Sequence, residues 1–407
     1  MTRPLSQPTC QPNPQAKRPV AARSAAPPAA LPAAVLALLL GLPTLTCATV
    51  VDGITDSEIR IGMVNVQSGP AAGLGKGMLE GAQAVFKEVN AKGGVHGRKI
   101  NLLVADDGYE PDKAIDETLK MIEQHKVFSL FGYVGTPTAN AVLPIVKEMD
   151  VPLVGAFTGT MALRQPVTKQ VFNVRASYDD ESEMLVAHFI EKGAKTVAVF
   201  HQDDGFGAAV LSGTEKALKK RGLAVSTKSS FQRNTLAIKT GLAAMLEAKP
   251  DAVVMVGPYA PLAAFIKEAR AAGLKSQLAT VSFVGTDNLV AEVGKAGDGV
   301  LISQVVPFPA DDNAAAAKTC RDLVHRHAAG AKLGFVNFEG CLTAQVLVRA
   351  LQGAGKDPTR ASLVAAMDGM QGIDLGGVML NLSATNHQAM NQVFLTQVRD
   401  GQIAKLR

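Results

Sequence analysis

The chain reads as an α/β protein of two lobes, each built on a parallel sheet, and three observations carry that reading. Residues 59–106 spell a complete βαβ unit. Strand-like and helix-like segments then alternate without a break to Ser282, separated by helices long enough for right-handed crossovers. Residues 307–370 are helix-rich and have no sheet of their own to cover, so the chain must return to an earlier sheet, and the lobes are joined by several crossings. A length of 407 residues suits two domains of ordinary size. With 47% apolar residues, no Trp and 5% aromatics, the cores must be built mainly from Ala, Val, Leu and Ile.

The opening unit runs from an apolar strand, Ile59–Val66, into the glycine-rich loop Ser68-Gly69-Pro70. An amphipathic helix follows, with Met78, Leu79, Ala82, Val85, Phe86 and Val89 on one face, and Gly93-Gly94 and Gly97 turn the chain into a second buried strand, Lys99–Asp106. Strand 127–132, helix 138–149 and strand 152–155 come next, then Val171–Arg175 and helix 181–192. The middle of the chain holds strand 196–201, helix 206–221 stopped by Gly222, strand 223–229, helix 236–248, strand 252–257, helix 261–272 and strand 277–282. After a strand at 300–306 the pattern changes to helices between 314 and 351 and at 360–367, and strands at 377–382 and 392–398 close the chain. Crossings between lobes are expected at Arg175-Ala176-Ser177, at Gln304–Pro307 and along Gly372–Gly377.

Residues 1–48 read as a signal peptide. Arg3, Lys17, Arg18 and Arg23 precede the apolar run Leu31–Leu42, which is too short to span a bilayer, and small residues at Thr46 and Ala48 place cleavage after Ala48. Lipidation at Cys47 is the alternative, and Thr46 is a poor residue immediately before such a cysteine. The expectation is export to the periplasm as a soluble protein. The net charge of +5 belongs mostly to this leader; without it 37 basic residues face 36 acidic ones. No basic stripe interleaved with aromatics appears, so nothing suggests nucleic acid as a partner and none is expected. Cys320 and Cys341 remain outside the leader and form either a disulfide or two buried thiols.

In a two-lobed α/β protein the loops at the carboxyl ends of the strands converge on the cleft. Six are legible: 68–76, 133–138 and 156–160 from the first lobe, and 201–206, 258–261 and 283–287 from the second. Thr136-Pro137-Thr138 reads as N-cap, N1 and N2 of a helix whose free amides can bind a carboxylate, the plainer alternative being an ordinary cap. Phe157-Thr158-Gly159 lies beside it. Phe206 and Tyr259 offer one ring each to sandwich a small organic solute, with core packing as the alternative use of both. The pairs Asp106-Asp107 and Asp203-Asp204 lack calcium-loop or glycosidase spacing, and His325 and His327 diverge on a helix. Neither a nucleophile elbow nor a phosphate-binding glycine loop occurs, and nothing argues for catalysis, a metal or a cofactor.

Ser68-Gly69-Pro70, Asn90-Ala91-Lys92-Gly93-Gly94 and Asp106-Asp107 together closely resemble the opening signature of Leu/Ile/Val-binding periplasmic solute receptors. The similarity runs from about Ile59 to Val398 and includes Tyr259, Glu268–Lys275 and the glycines around Phe206. It implies the type I periplasmic binding fold, with two Rossmann-like lobes joined by three crossover strands that close on a small solute and present it to the membrane permease of an ABC importer. By position, lobe 1 is expected at 55–175 plus 306–372 and lobe 2 at 176–305 plus 376–407. The resemblance places carboxylate contacts at Thr136, Pro137, Thr138, Phe157, Thr158 and Gly159, and second-lobe contacts at Phe206 and Tyr259. Two departures bear on the ligand. Leu74 stands where relatives often have Tyr, and Ser282 where amino-acid binders carry an acid for the ammonium, with Asp287 the nearest acid. A buried unpaired ammonium costs several kcal/mol, so the expected solute is a carboxylate-bearing or neutral molecule without an α-amino group, such as an aromatic or aliphatic acid, with an amino acid as the alternative. A monomeric receptor is expected, and a sensor passing the closed form to a signalling partner is the alternative function.

Overall fold

A computed structural model describes residues 51–406, so the signal-peptide reading of residues 1–48 lies outside the described residues. The chain begins with β1 (Glu58–Asn65), α1 (Ala72–Ala91), β2 (Lys99–Asp106), α2 (Pro111–Glu123), β3 (Ser129–Phe131), α3 (Thr136–Glu148), β4 (Leu153–Val154) and β5 (Val171–Phe172). These five strands form one sheet in the order β2-β1-β3-β4-β5, and every pairing is parallel. The second strand is not buried as the sequence suggested. β2 is the sheet edge, and only Ile100 of its eight residues is buried, the others being half-buried or exposed.

The second sheet grows from α4 (Tyr178–Glu191), β6 (Val197–Gln202), α5 (Gly205–Lys219), β7 (Val225–Phe231), α6 (Lys239–Ala248), β8 (Ala252–Val256), α7 (Tyr259–Ala271), β9 (Gln277–Thr280), α8 (Thr286–Val293) and β10 (Leu301–Gln304). The interior strand β8, Ala-Val-Val-Met-Val, is buried at every position, as a strand covered on both faces must be. Three helices return to the first lobe: α9 (Ala315–His327), α10 (Phe335–Gly353) and α11 (Arg360–Asp368). They are followed by the hairpin β11 (Gln371–Asp374) and β12 (Met379–Asn381), and by β13 (Phe394–Arg399) and β14 (Gln402–Lys405), which add antiparallel strands beside β10.

Helix α10 lies against α1 with the backbones in near contact. A Cβ on Gly81 would fall 1.8 Å from the Asn337 carbonyl oxygen, and one on Gly340 would fall 2.4 Å from that of Met78. Nearly every side of α10 is therefore buried. Cys320 and Cys341 join α9 to α10 in a disulfide with Cα atoms 6.1 Å apart.

Two crossings lie where expected: Val174 and Ala176 belong to the first-lobe core and Tyr178 to the cleft, while Val305 and Val306 leave β10 for the first-lobe core. The third does not. Gly372–Gly377 is a hairpin segment whose turn is held by Asp374 Oδ1, which accepts from the amides of Gly376 (2.9 Å) and Gly377 (2.6 Å). Leu380, Leu382 and Met390 still pack in the first-lobe core, and the Met390 amide donates to Val174 O at 3.0 Å. The chain crosses only between Met390 and Phe394, so residues 376–390 pack with the first lobe rather than the second. Among the described residues no helix is long and apolar enough to cross a membrane.

Candidate functional site

The two sheets point the carboxyl ends of their strands at one another, and one apolar cluster spans the gap. From the first lobe come Val66, Leu74, Tyr109, Val134 and Phe157; from the second come Tyr178, Phe206 and Phe283. Their rings pack directly: the Phe206 and Phe283 centroids are 4.5 Å apart, Phe206 and Tyr178 5.2 Å, and Phe157 and Phe283 5.4 Å. Cross-cleft hydrogen bonds accompany them. The Gly73 amide donates to the Tyr259 hydroxyl at 3.1 Å, Gln202 donates to the Tyr109 hydroxyl at 3.2 Å, and Arg233 pairs with Glu110 at 2.8 Å. The lobes are closed on each other.

Within this frame the first-lobe residues read from the sequence are brought together, with altered roles. Gly135, not Thr136, occupies the cap of α3 at φ 107, a left-handed conformation that a side chain disfavours. Thr136 is already helical, and its Oγ1 lies 2.6 Å from Thr158 Oγ1. Thr138 Oγ1 donates back to Val134 O at 2.6 Å, and Pro137 holds the first turn. Gly159 admits Tyr178, whose amide donates to Gly159 O at 2.7 Å where a Cβ would collide with the tyrosine ring. Across the cleft, Gly205 opens α5 against the Thr136 methyl group, so two helix N-termini face each other.

In the second lobe Phe206 follows Asp204, whose Oδ1 accepts from the Phe206 and Gly207 amides and caps α5. Phe206 is fully buried among Tyr178 and Phe283, so protein rings flank it in place of the expected sandwich with Tyr259. Tyr259 spends its hydroxyl on Gly73, and Leu74 fills the space beside Gly285. Asp106 accepts from the amides of Gln67 (2.7 Å) and Gly108 (2.9 Å), a turn-forming role that accounts for one of the acidic pairs.

Ser282 leads to the groups the sequence reading passed over. Its amide donates to Glu181 Oε2 at 2.7 Å, and Ser303 Oγ donates to the same oxygen at 2.6 Å. Glu181 Oε1 takes Arg175 Nη2 at 3.2 Å, and Arg175 also donates to Ser282 Oγ. An acid therefore does stand beside Ser282, but it comes from α4 and is already paired with a guanidinium. Asp287, the acid expected to be nearest, instead accepts from the Phe335 amide at 2.8 Å and caps α10.

Arg175 is wholly buried, with Cζ 4.7 Å from the centre of the Phe157 ring. Its Nε faces Glu339 Oε1 at 3.6 Å, beyond hydrogen-bond length, and neither Nε nor Nη1 finds an acceptor among the described residues. Burial opposes the charge, but Glu339 and Glu181 more than offset it and hold the guanidinium above its ordinary pKa. Glu339 is pushed up to about 7 by burial, against the pull of Arg175. Arg164 braces the same wall by donating to the carbonyls of Thr160 (2.9 Å) and Arg175 (2.9 Å). Phe157, Ser282, Gln304, Val305, Val306, Phe335, Val336 and Glu339 line a crevice there that is too narrow to admit a water molecule. The sequence signals for these groups were faint: a single Arg between Val174 and Ala176, and a single Glu in the apolar run Phe335–Leu342.

A family model described as periplasmic binding protein matches residues 58–402. The chain belongs to that family. Its likenesses mark it as a type I periplasmic binding protein of the Leu/Ile/Val-binding kind. It is similar to the Leu/Ile/Val-binding protein homolog 7 of Brucella suis, 27% identical over 247 residues that make up 58% of this chain and 61% of that one. The chain's match spans only 57–61% of the length of such curated relatives from Brucella. The crystal structure of a possible leucine/isoleucine/valine-binding protein from Rhodopirellula baltica is 33% identical with a TM-score of 0.83, covering 88% of this chain and 98% of that one. A solute-binding protein from R. palustris in complex with benzoate shares the fold at 22% identity and a TM-score of 0.77, over 86% of this chain and 96% of that one.

Proposed function

We propose that this chain is the periplasmic solute-binding subunit of an ABC importer and that it closes on a small organic acid lacking an α-amino group. The observation that carries the ligand class is Arg175, a buried guanidinium beside Ser282, where an amino-acid ligand would need an unengaged acid. Glu181 is committed to Arg175 and two serines and Glu339 faces the same guanidinium, so an ammonium there would meet a cation that both acids already serve. The facing N-termini of α3 and α5 also favour a negative solute. Closure follows from the solute binding the closed form better than the open one, so that binding shifts the equilibrium. The relatives are named for both kinds of solute, Leu/Ile/Val in the curated ones and benzoate in the R. palustris protein that shares the fold.

The test is a thermal-shift screen on protein unfolded and refolded to remove carried-over solute, against amino acids and aromatic, aliphatic and dicarboxylic acids. A solute at a hundred times its Kd adds about 2.7 kcal/mol, a shift of a few degrees for a protein of this size. Shifts with acids and none with amino acids are expected. Stabilisation by leucine or valine alone would refute the ligand class.

A further inference from the structure

Arg175 is held by one of its nitrogens and unengaged at the others. Glu181 and Ser282 fix Nη2, Nε looks towards Glu339 at 3.6 Å, and Nη1 has no acceptor among the described residues. Three of its neighbours, Phe157, Ser282 and Glu339, line the crevice between the lobes, which in this closed form admits no water-sized group, so a solute reaches it from the open form. A fully buried donor left without a partner loses its hydration with nothing in return, which is tolerated where an incoming group completes the bond.

We propose that Arg175 Nη1 receives the carboxylate of the solute, and that Glu339 takes up a proton as the solute binds. The second half follows from the first. A solute carboxylate on Arg175 brings a negative charge into a low-dielectric space that Glu339 already shares. Two carboxylates so placed cannot both remain ionised, and the one not anchored to Nη1 is protonated. The groups that face Glu339 support this: Arg175 from the first crossing, Glu181 from α4 and Arg164 from the segment after Thr160. On its own helix end, Asp287 from α8 accepts from the Phe335 amide and Glu80 from α1 accepts from Asn337 Nδ2, and neither lines the crevice. Burial pushes the Glu339 carboxyl up to about 7, within reach of ordinary pH.

Because this rests on the solute-receptor reading, the experiment separates the two. Isothermal titration uses wild type, Arg175→Lys and Glu339→Gln with benzoate, 4-methyl-2-oxopentanoate, succinate and L-leucine, each at pH 6 and pH 8 in phosphate and in a zwitterionic amine buffer. For an acid that binds, wild-type affinity is expected to fall about tenfold from pH 6 to pH 8, with about one proton taken up at pH 8 and almost none at pH 6. Glu339→Gln removes both the slope and the proton uptake. Arg175→Lys weakens the acid at least tenfold, and if that variant does not fold, the Glu339→Gln profile decides. A pH-independent wild-type affinity, or an unchanged slope in Glu339→Gln, overturns the proposal. Binding of L-leucine and of no acid overturns it while leaving the solute receptor standing; binding of nothing in the panel overturns it and counts against the receptor as well.

Discussion

Replacing Gly81 by Ala sets two effects of opposite sign against each other. In a helix interior the change gains about 1 kcal/mol of propensity. The new methyl, however, would stand 1.8 Å from the Asn337 carbonyl oxygen and 2.7 Å from the Cys341 amide nitrogen, both backbone atoms of α10. Ordinary contact begins near 3.4 Å, so α10 would have to retreat by about 1.5 Å. A retreat of that size separates Ala82, Val85 and Phe86 from Phe338 and Leu342 in the first-lobe core. Overpacking of this kind costs about 1–3 kcal/mol, and the contacts forfeited along the opened seam add to it. A net loss of about 2 kcal/mol is expected. Urea denaturation followed by far-UV circular dichroism measures it, with Gly353→Ala as the control, since a Cβ there would meet only the Ala366 methyl at 3.3 Å. A Gly81→Ala protein as stable as wild type would refute the close packing of α1 on α10.

Asp107 is buried with Oδ2 unpartnered, and burial pushes its carboxyl up to about 7. The folded form keeps the proton where the unfolded chain has lost it, so this group destabilises increasingly as pH rises from about 4 to 7. Asp107→Asn should match wild type near pH 4 and exceed it at pH 8 by up to about 4 kcal/mol in denaturant titrations, and an equal gain at both values would contradict the assignment. Cysteines 21 residues apart close a short loop, so Cys320→Ser with Cys341→Ser should cost about 3 kcal/mol, read as a lower midpoint that reductant does not lower further. Tyr259→Phe removes the acceptor of the Gly73 amide across the cleft. Closure should weaken by about 1 kcal/mol, seen as a larger radius of gyration in X-ray scattering and about fivefold weaker solute binding; an unchanged radius and affinity would show that this bond does not help to hold the lobes shut.

The fold was legible because its signals are local. Strand 252–257 is a continuous apolar run, α1 repeats its apolar residues at helical spacing, and glycines and prolines mark the turns, so each segment reports its own conformation. Thr136, Thr158, Phe206, Tyr259 and Ser282 were likewise legible as loop residues at strand ends, and they do gather at the cleft. Their partners were not. Thr136 looked like a cap because Thr before Pro commonly is one, yet the positive φ of Gly135 shifts the cap back by one residue.

Sequence alone determined the class of the molecule: two parallel sheets, helices on both faces, a return of the chain to its first lobe, and loops facing a common cleft. These follow from apolar periodicity and turn chemistry, which act over a few residues. Only the tertiary structure decided that β2 is an edge, that residues 376–390 stay with the first lobe, and that Arg175, Glu181 and Glu339 form one buried group. Those outcomes depend on which distant segments meet. Arg175 and Glu339 are 164 positions apart in the chain, and a charge is tolerated inside a core only once its partner has been carried there by the folding of everything between them.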